Sequence, residues 1–476
     1  MKDIKKNTII SALSLFFQSG YSAVLGLGAN LAITILLSPE IFGIYITVLS
    51  MISLLNYFSD IGLAASLVQK KEVSDDDIRT TFTIQQILVI TIVTLGYLLT
   101  GFIQRFYKLP QTGVYLYWAL LISFVFSSLK TIPSILLERK IKFQKIVMVQ
   151  IIENTLFYLT IIILAVLKFG LMSFTFAVLV RSISGLIVIY SIAPWQPKLG
   201  FSIVSLKKLL SFGLPFQASS FLALFKDELI TLYLGKTLGF TGLGYIGWAK
   251  KWAEAPIRII MDNISRVLFP VIARIQQDKN KVGRLLDKIL YYQTILLAPI
   301  IMGSFIVMDS FIKIIPRYSK WEPALPLFYL MCISSFLSSY SSPFTNLFNA
   351  MGKAKTTFLF MMLWTVSTWI FTPILTHYFG YYGFPMTQVI LSLAFILVIS
   401  KARELVKFHF IKSIKQPIIA AILMGIIISL INLFILNSLL DLIMLIIIGG
   451  LIYAFFLQIL FKINIIKEIK GIFRYE

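Results

Sequence analysis

The sequence is poor in what water-soluble catalysis and disulfide scaffolds are built from. Of its 476 residues only 13% are charged, one is cysteine and two are histidine. The lone Cys332, set in an apolar run, excludes a disulfide framework and a thiolate metal cluster, and reads as a packing residue. His377 and His409 fall far apart near helix ends, which supports neither a metal site nor a histidine base. Nowhere do a nucleophile, a base and a third orienting group converge, so enzymatic catalysis has no support. Acidic residues are scarce too: 21 against 43 Lys and Arg, a formal charge of +22.

What is abundant is apolar. Hydrophobic residues make up 58% of the chain and mean hydropathy is +0.88, the composition of an integral membrane protein. The positive charge falls in short clusters between apolar runs rather than in one solvated patch, which excludes a nucleic-acid partner and implies orientation in a bilayer. The N-terminal stretch MKDIKKNTIISALSLFFQSGYSAVLG starts basic like a secretory signal, but its apolar part runs on to Leu37, so it reads as an uncleaved first span.

A bilayer core takes about 20 largely apolar residues per helix. On that length the chain divides into spans near 9–37, 41–67, 82–104, 113–137, 146–167, 171–193, 211–235, 244–270, 287–312, 324–349, 356–378, 383–400, 416–436 and 440–461. That makes about fourteen helices, with both termini on one side. The turns on the terminal side carry 29 Lys and Arg and the opposite turns 7, among them Arg105, Lys168 and Arg317. Positive charge stays inside, so both termini are expected in the cytoplasm.

The turn SPEIFGIY, with Gly43, and the turn GFTGLGYI, with Gly244, stand 201 positions apart. Each precedes a long helix and a charged loop, KKEVSDDDIR in one half and RIQQDKNKVGR in the other. Six spans separate the copies, so the halves have parallel topology about an axis along the membrane normal, and two such lobes are expected to leave a cleft between them. The expected division is an N-lobe 1–197 holding helices 1–6, a C-lobe 198–402 holding helices 7–12, and a C-terminal helix pair 13–14 with a cytoplasmic tail, 403–476.

Seven basic residues fit no turn: Lys130, Arg181, Lys226, Lys250, Lys251, Arg258 and Arg266. In WAKKWAEAPIRIIMDNISR, residues Lys250, Glu254, Arg258, Asp262 and Arg266 recur every fourth position, which stacks them on one helical face over about 24 Å. Six charges, counting Lys251, would cost roughly 15–20 kcal/mol against lipid. Pairs along the helix return only about 0.2–0.5 kcal/mol each in water, so the stripe must face water or polar protein. A helix lying on the membrane surface would also satisfy a stripe, but its counterpart in the first half is plainly spanning. Mutual neutralisation inside a rigid bundle leaves a surplus of two positive charges.

Lys226, Asp227 and Glu228 fall near mid-depth of the preceding helix, and Lys130 and Arg181 add cations from the first half. Such a cleft attracts an anion, for which phosphate is the natural candidate. Glu254, Asp262, Asp227 and Glu228 are candidates for ion pairing within the cavity or for coupling to H⁺ or Na⁺; Asp60 and Glu153 are the comparable acids of the first half. GLGYIG, Gly242 to Gly247, matches a dinucleotide fingerprint in letters, but no strand precedes it. LGKT at 234–237 lacks the earlier glycine of a phosphate loop. Neither a bound cofactor nor a metal is expected.

The stretches LLSPEIFGIYITVLSMISLLNYFSDIGLAASLVQKKEVSDDDI, LGKTLGFTGLGYIGWAKKWAEAPIRIIMDNISRVLFPVIARIQQD and FNAMGKAKTTF resemble the multidrug/oligosaccharidyl-lipid/polysaccharide exporter superfamily, and within it the bacterial polysaccharide-unit flippases of the Wzx type. The resemblance implies an all-α polytopic fold like that of the MATE and MOP carriers. It implies a carrier in the bacterial cytoplasmic membrane that turns undecaprenyl-diphosphate-linked oligosaccharide units to the outer leaflet by alternating access, alongside polysaccharide polymerisation machinery. Arg258, Lys250, Lys251, Lys226, Arg181, Lys130 and Arg266 would then serve the diphosphate and glycan. Rival readings are a cation-coupled multidrug antiporter, a peptidoglycan-precursor (lipid II) flippase, and a membrane glycan polymerase or ligase. The last would carry a long outer loop, and the longest here, 313–323, is short.

Overall fold

The computed structural model describes residues 2–435 and 438–461, so the tail cations Lys462, Lys467, Lys470 and Arg474 lie outside the described residues. Among those described there is no strand. Contacts group the chain into two compact units, Met1–Gly244 and Tyr245–Glu476.

The first unit begins with α1 (Lys2–Leu36), α2 (Pro39–Asp60) and α3 (Leu63–Gln69). Ser38 caps α2 by accepting the Ile41 amide at 3.4 Å, and Pro39 at the first helical position supplies a φ already suited to the helix. α2 ends where Ile61 and Gly62 turn left-handed, at φ 44° and 82°. The loop that follows enters α4 (Asp75–Leu98) through a capping box of Ser74 and Asp77. Arg139 pins that loop from the side, its guanidinium donating to the carbonyls of Leu67, Val68, Lys70 and Lys71 at 2.6–3.2 Å. Then come α5 (Thr100–Tyr107), α6 (Gln111–Leu129), α7 (Thr131–Arg139), α8 (Phe143–Val166) and α9 (Met172–Ile192). α8 packs between α1 and α9, and α9 also packs on α6.

Residues 198–244 pack with this same unit, although the sequence repeat sets its seam at 197/198. The amides of Gly200 and Ser202 donate to Thr83 and Thr80, each at 3.0 Å, and strap the connecting segment to α4. From there α10 (Ile203–Leu224) packs on α3 and α4, a single π-helical turn spans Phe225–Leu229, and α11 (Ile230–Ile275) starts. The backbone of α11 is interrupted at Gly239, whose φ of 71° and ψ of 177° suit only glycine.

The second unit holds the charged part of α11, then α12 (Lys279–Ile314), α13 (Leu325–Ser339), α14 (Ser342–Ala350), α15 (Ala354–Phe379), α16 (Gly383–Ser392), α17 (Phe395–Arg403), α18 (Phe410–Ile435) and α19 (Leu439–Phe461). Its main core joins Leu268 and Ile272 of α11 to Leu286 and Leu290 of α12, Phe344 and Phe348 of α14 and Val398 of α17. α18 lies along α12, and Ala298 of α12 shares a buried cluster with Ala420, Ala421 and Met424 of α18.

Eleven stretches among the described residues are long and apolar enough to cross a membrane, so this is a multi-pass membrane protein, but a count of fourteen spans does not follow from them. Ala354–Arg403 counts once there, although Gly380 (φ 58°) divides α15 from α16, and α11 is not among the eleven. Leu440, Leu451 and Ile447 of α19 are 71%, 65% and 58% exposed, an apolar surface that lipid covers and water would not tolerate.

Candidate functional site

α11 is two-faced beyond Gly239. Trp248, Ala249, Ala253, Met261, Leu268 and Ile272 are buried, and the first of these is held by a hydrogen bond from its indole to the Tyr318 hydroxyl at 2.8 Å. On the rest of the helix Lys251, Arg258, Asp262 and Arg266 are exposed, and Lys250 and Glu254 half-buried. The expected stripe therefore forms and stays out of the protein core. Glu254 accepts from Arg258 through Nη2 at 2.7 Å and Nε at 3.2 Å. With Arg258 69% exposed, such a pair is worth well under 1 kcal/mol in water, far too little to carry six charges into lipid. Lys250, Lys251 and Asp262 make no ion pair among the described residues, so the stripe keeps unneutralised cations.

Lys226, Asp227 and Glu228 sit in the π-helical turn, which packs on α2. A π turn inserts one residue into the helical repeat and re-aims the side chains around it, and such turns gather at functional positions. Lys226 and Glu228 are half-buried and Asp227 exposed; the Asp227 carbonyl accepts from Thr231 at 2.6 Å. The sequence places these charges at mid-depth, but no periodicity announces the π turn.

Lys130, expected among the cations offered to the passenger, is engaged with an acid of its own unit. It caps the junction of α6 and α7, and its ammonium is committed to Glu153 of α8, with side chains 17% and 8% exposed. Gly185 of α9 makes room for the carboxylate: a Cβ there would lie 1.5 Å from Glu153 Oε1. One turn further along α8, Arg181 stacks its guanidinium 5.5 Å above the Phe157 ring and remains exposed. The structure thus brings Lys130 and Arg181 onto successive turns of α8, one neutralised and one not. Sequence reasoning missed the Lys130–Glu153 pair and the clearance at Gly185.

No group of three His, Cys, Asp or Glu side chains that could hold a metal occurs among the described residues. What the arrangement can do chemically is bind: it offers fixed ammonium and guanidinium groups to an anion.

A family model described as polysaccharide biosynthesis protein matches residues 33–326. Among curated proteins, the lipopolysaccharide biosynthesis protein WzxC of Escherichia coli (strain K12) is 26% identical over 70% of this chain and 67% of its own length. The succinoglycan biosynthesis transport protein ExoT of Rhizobium meliloti (strain 1021) is 21% identical over the same shares. The teichuronic acid biosynthesis protein TuaB of Bacillus subtilis (strain 168) is 23% identical over 63% of this chain and 62% of its own. In fold the chain is similar to the lipid II flippase MurJ in an inward closed conformation, with a TM-score of 0.76 at 17% identity, covering 95% of this chain and 99% of that one. An inward-facing MATE family transporter of the MOP superfamily gives 0.60 at 16% identity, over 81% and 95%.

Proposed function

We propose, from the premise that the chain belongs to the polysaccharide biosynthesis protein family, that it is a carrier and not an enzyme, moving an undecaprenyl-diphosphate-linked oligosaccharide unit from the inner to the outer leaflet of the bacterial cytoplasmic membrane. The observation that carries this reading is the stripe of α11, where Lys250, Lys251, Arg258 and Arg266 outnumber Glu254 and Asp262 on a face that is not packed into the core. A lipid diphosphate brings negative charge that hydrocarbon alone rejects, and fixed cations along a wet face offset it. In the second unit Arg258 supplies a planar fork for phosphate oxygens and Lys250 and Lys251 supply point charges; within the first unit Lys226 and Arg181 offer cations of their own. Lys130, already paired, is left out of this set. The glycan travels in the polar path while the isoprenoid tail stays in lipid.

In this reading both termini are cytoplasmic, the cycle is one of alternating access, and a gradient of H⁺ or Na⁺ enters through exposed Asp262 or Asp227. The test is deletion of the gene followed by analysis of lipid-linked sugars. Repeat units accumulating on the inner leaflet support the reading. Accumulated lipid II, or drug sensitivity with normal surface glycan, replaces it with another passenger. In the same assay Arg258→Ala should abolish export while the protein still inserts, and Arg258→Lys should restore part of it; parental glycan levels in the alanine variant remove Arg258 from the mechanism.

A further inference from the structure

A groove runs beside the seam between α1 and α8. Polar contacts close the seam itself: the Ser11 hydroxyl donates to the Ile141 carbonyl at 2.9 Å, Gln18 donates to Gln150, and the Tyr21 and Thr155 hydroxyls share a hydrogen bond of 2.6 Å. The groove, of about 450 Å³, is lined by Phe17 of α1 and by Val147, Met148, Ile151 and Ile152 of α8, with Gln144 at the end nearest the 139–145 turn. That volume lies in the range of small-molecule clefts, about 300–1,000 Å³. Phe17 and Met148 are 66% and 53% exposed, and Met148, Leu159 and Ile163, all exposed, recur at helical spacing on one face of α8. The groove therefore opens on lipid.

Its depth picks out one leaflet. Gln144 to Ile152 is about 12 Å of helix at 1.5 Å per residue, against about 15 Å for half a hydrocarbon core. An occupant enters from the side of the turn, and its chain ends near the midplane. An ordinary acyl chain matches that reach, whereas an undecaprenyl chain is several times longer.

The turn supplies a partner for the headgroup. Between Glu138 and Lys145 stand four cations and one acid. Arg139 is spent on the carbonyls at the end of α3, and Lys145 donates to the Ile192 carbonyl at 3.2 Å. Lys140 is exposed and Lys142 half-buried. The ion pairs of this unit among the described residues, Lys70–Asp77, Arg79–Asp75 and Lys130–Glu153, leave both without one. Lys142 lies between Ile141, which holds Ser11, and Gln144, which lines the groove, so its charge stands at the mouth.

We propose that this groove binds an anionic phospholipid of the leaflet beside the turn, with one acyl chain along Met148 and Ile152 and the phosphate headgroup on Lys140 and Lys142. α1 packs chiefly on α8, so the lipid braces the first span where protein does not. The leaflet is the cytoplasmic one in the orientation proposed above; nothing else in the inference depends on the carrier reading.

The test places the full chain in phosphatidylcholine vesicles with a trace of phosphatidylglycerol carrying a diazirine in mid-chain, and reads the labelled peptides by mass spectrometry. The exposed apolar face of α15, with Val366, Ile370 and Ile374, is the control, because any surrounding lipid touches it. Each surface lysine favours an anionic headgroup by about fivefold, so the 144–152 peptide should be labelled at least tenfold over α15, whereas a phosphatidylcholine probe should label the two within threefold. Lys140→Ala with Lys142→Ala should lower the phosphatidylglycerol ratio at least fivefold. Met148→Trp, which fills the groove from an exposed position, should remove the groove label and leave α15 unchanged.

A ratio near one with both probes in the parent chain means ordinary surrounding lipid and overturns the site. A high ratio with both probes overturns the headgroup assignment, and unchanged labelling in either variant overturns the placement. Loss of the label to an equal amount of undecaprenyl phosphate gives the groove to the passenger's chain and overturns the phospholipid. None of these readouts needs transport: a chain that moves no oligosaccharide leaves the lipid site standing, and an unlabelled groove leaves the carrier reading untouched.

Discussion

The Lys130–Glu153 pair gives the sharpest quantitative test. Both side chains are nearly withdrawn from solvent, 17% and 8% exposed, and Gly185 presses backbone against the carboxylate. Removing one member strands the other charge, which costs about 3–5 kcal/mol at a buried site. Removing both in favour of apolar side chains of similar volume is close to neutral. Lys130→Met and Glu153→Leu should therefore each destabilise by about 3–5 kcal/mol, whereas the double variant should fall within about 2 kcal/mol of the parent. Gly185→Ala, whose methyl would take the place of the carboxylate, should behave as a single removal. Equilibrium unfolding by SDS in mixed micelles measures the cycle. Single losses below about 1 kcal/mol that simply add would refute the reasoning, because uncoupled charges are solvated charges. The same double variant decides the role of Lys130 in transport: export near the parental level makes the pair structural, and lost export in a protein of parental stability returns Lys130 to the passenger.

Two further outcomes follow from geometry. Exchanging Glu254 and Arg258 keeps an ion pair at the same spacing and should change stability by only about 0.2–0.5 kcal/mol, yet export should fall at least tenfold if the guanidinium acts where it stands; unchanged export assigns the stripe to neutralisation within the helix. Arg139→Ala removes the donor to four carbonyls around the end of α3, at a cost of about 2–3 kcal/mol, and should expose the 70–74 loop to limited proteolysis; resistance equal to the parent would show the loop is held by its capping box alone.

Some of this architecture is legible in composition alone, and the limits have identifiable causes. Long apolar runs mark helices because a bilayer leaves the backbone no other partner than itself. The same runs conceal breaks: 41–67 reads as one span, but Ile61 and Gly62 turn left-handed between α2 and α3, and 113–137 conceals the junction at Lys130. An apolar run records what the side chains face and says little about the path of the backbone beneath them. The charged stripe of α11 was legible for the complementary reason, since charge at four-residue spacing has only one face to occupy.

Pairing between helices is harder, because partners lie far apart in sequence, yet two cases carried a usable signal. Lys130 stands eleven residues before Ile141 and Glu153 twelve after it, and Ile141 turns left-handed at φ 53° between α7 and α8. Counts of eleven and twelve from one turn bring the two side chains to similar depth, where an unmatched cation and the one acid of α8 can meet. The turns at Gly43 and Gly244, in contact through the Phe240 and Pro39 carbonyls, follow the same logic with the repeat as the ruler. Copies related by an axis along the membrane normal sit at one depth, and small residues at one depth are where backbones can touch. In a membrane helix bundle depth is therefore the coordinate that converts sequence position into contact. It is counted from turns and repeats, and it slips where a π turn such as Phe225–Leu229 adds a residue that no pattern betrays.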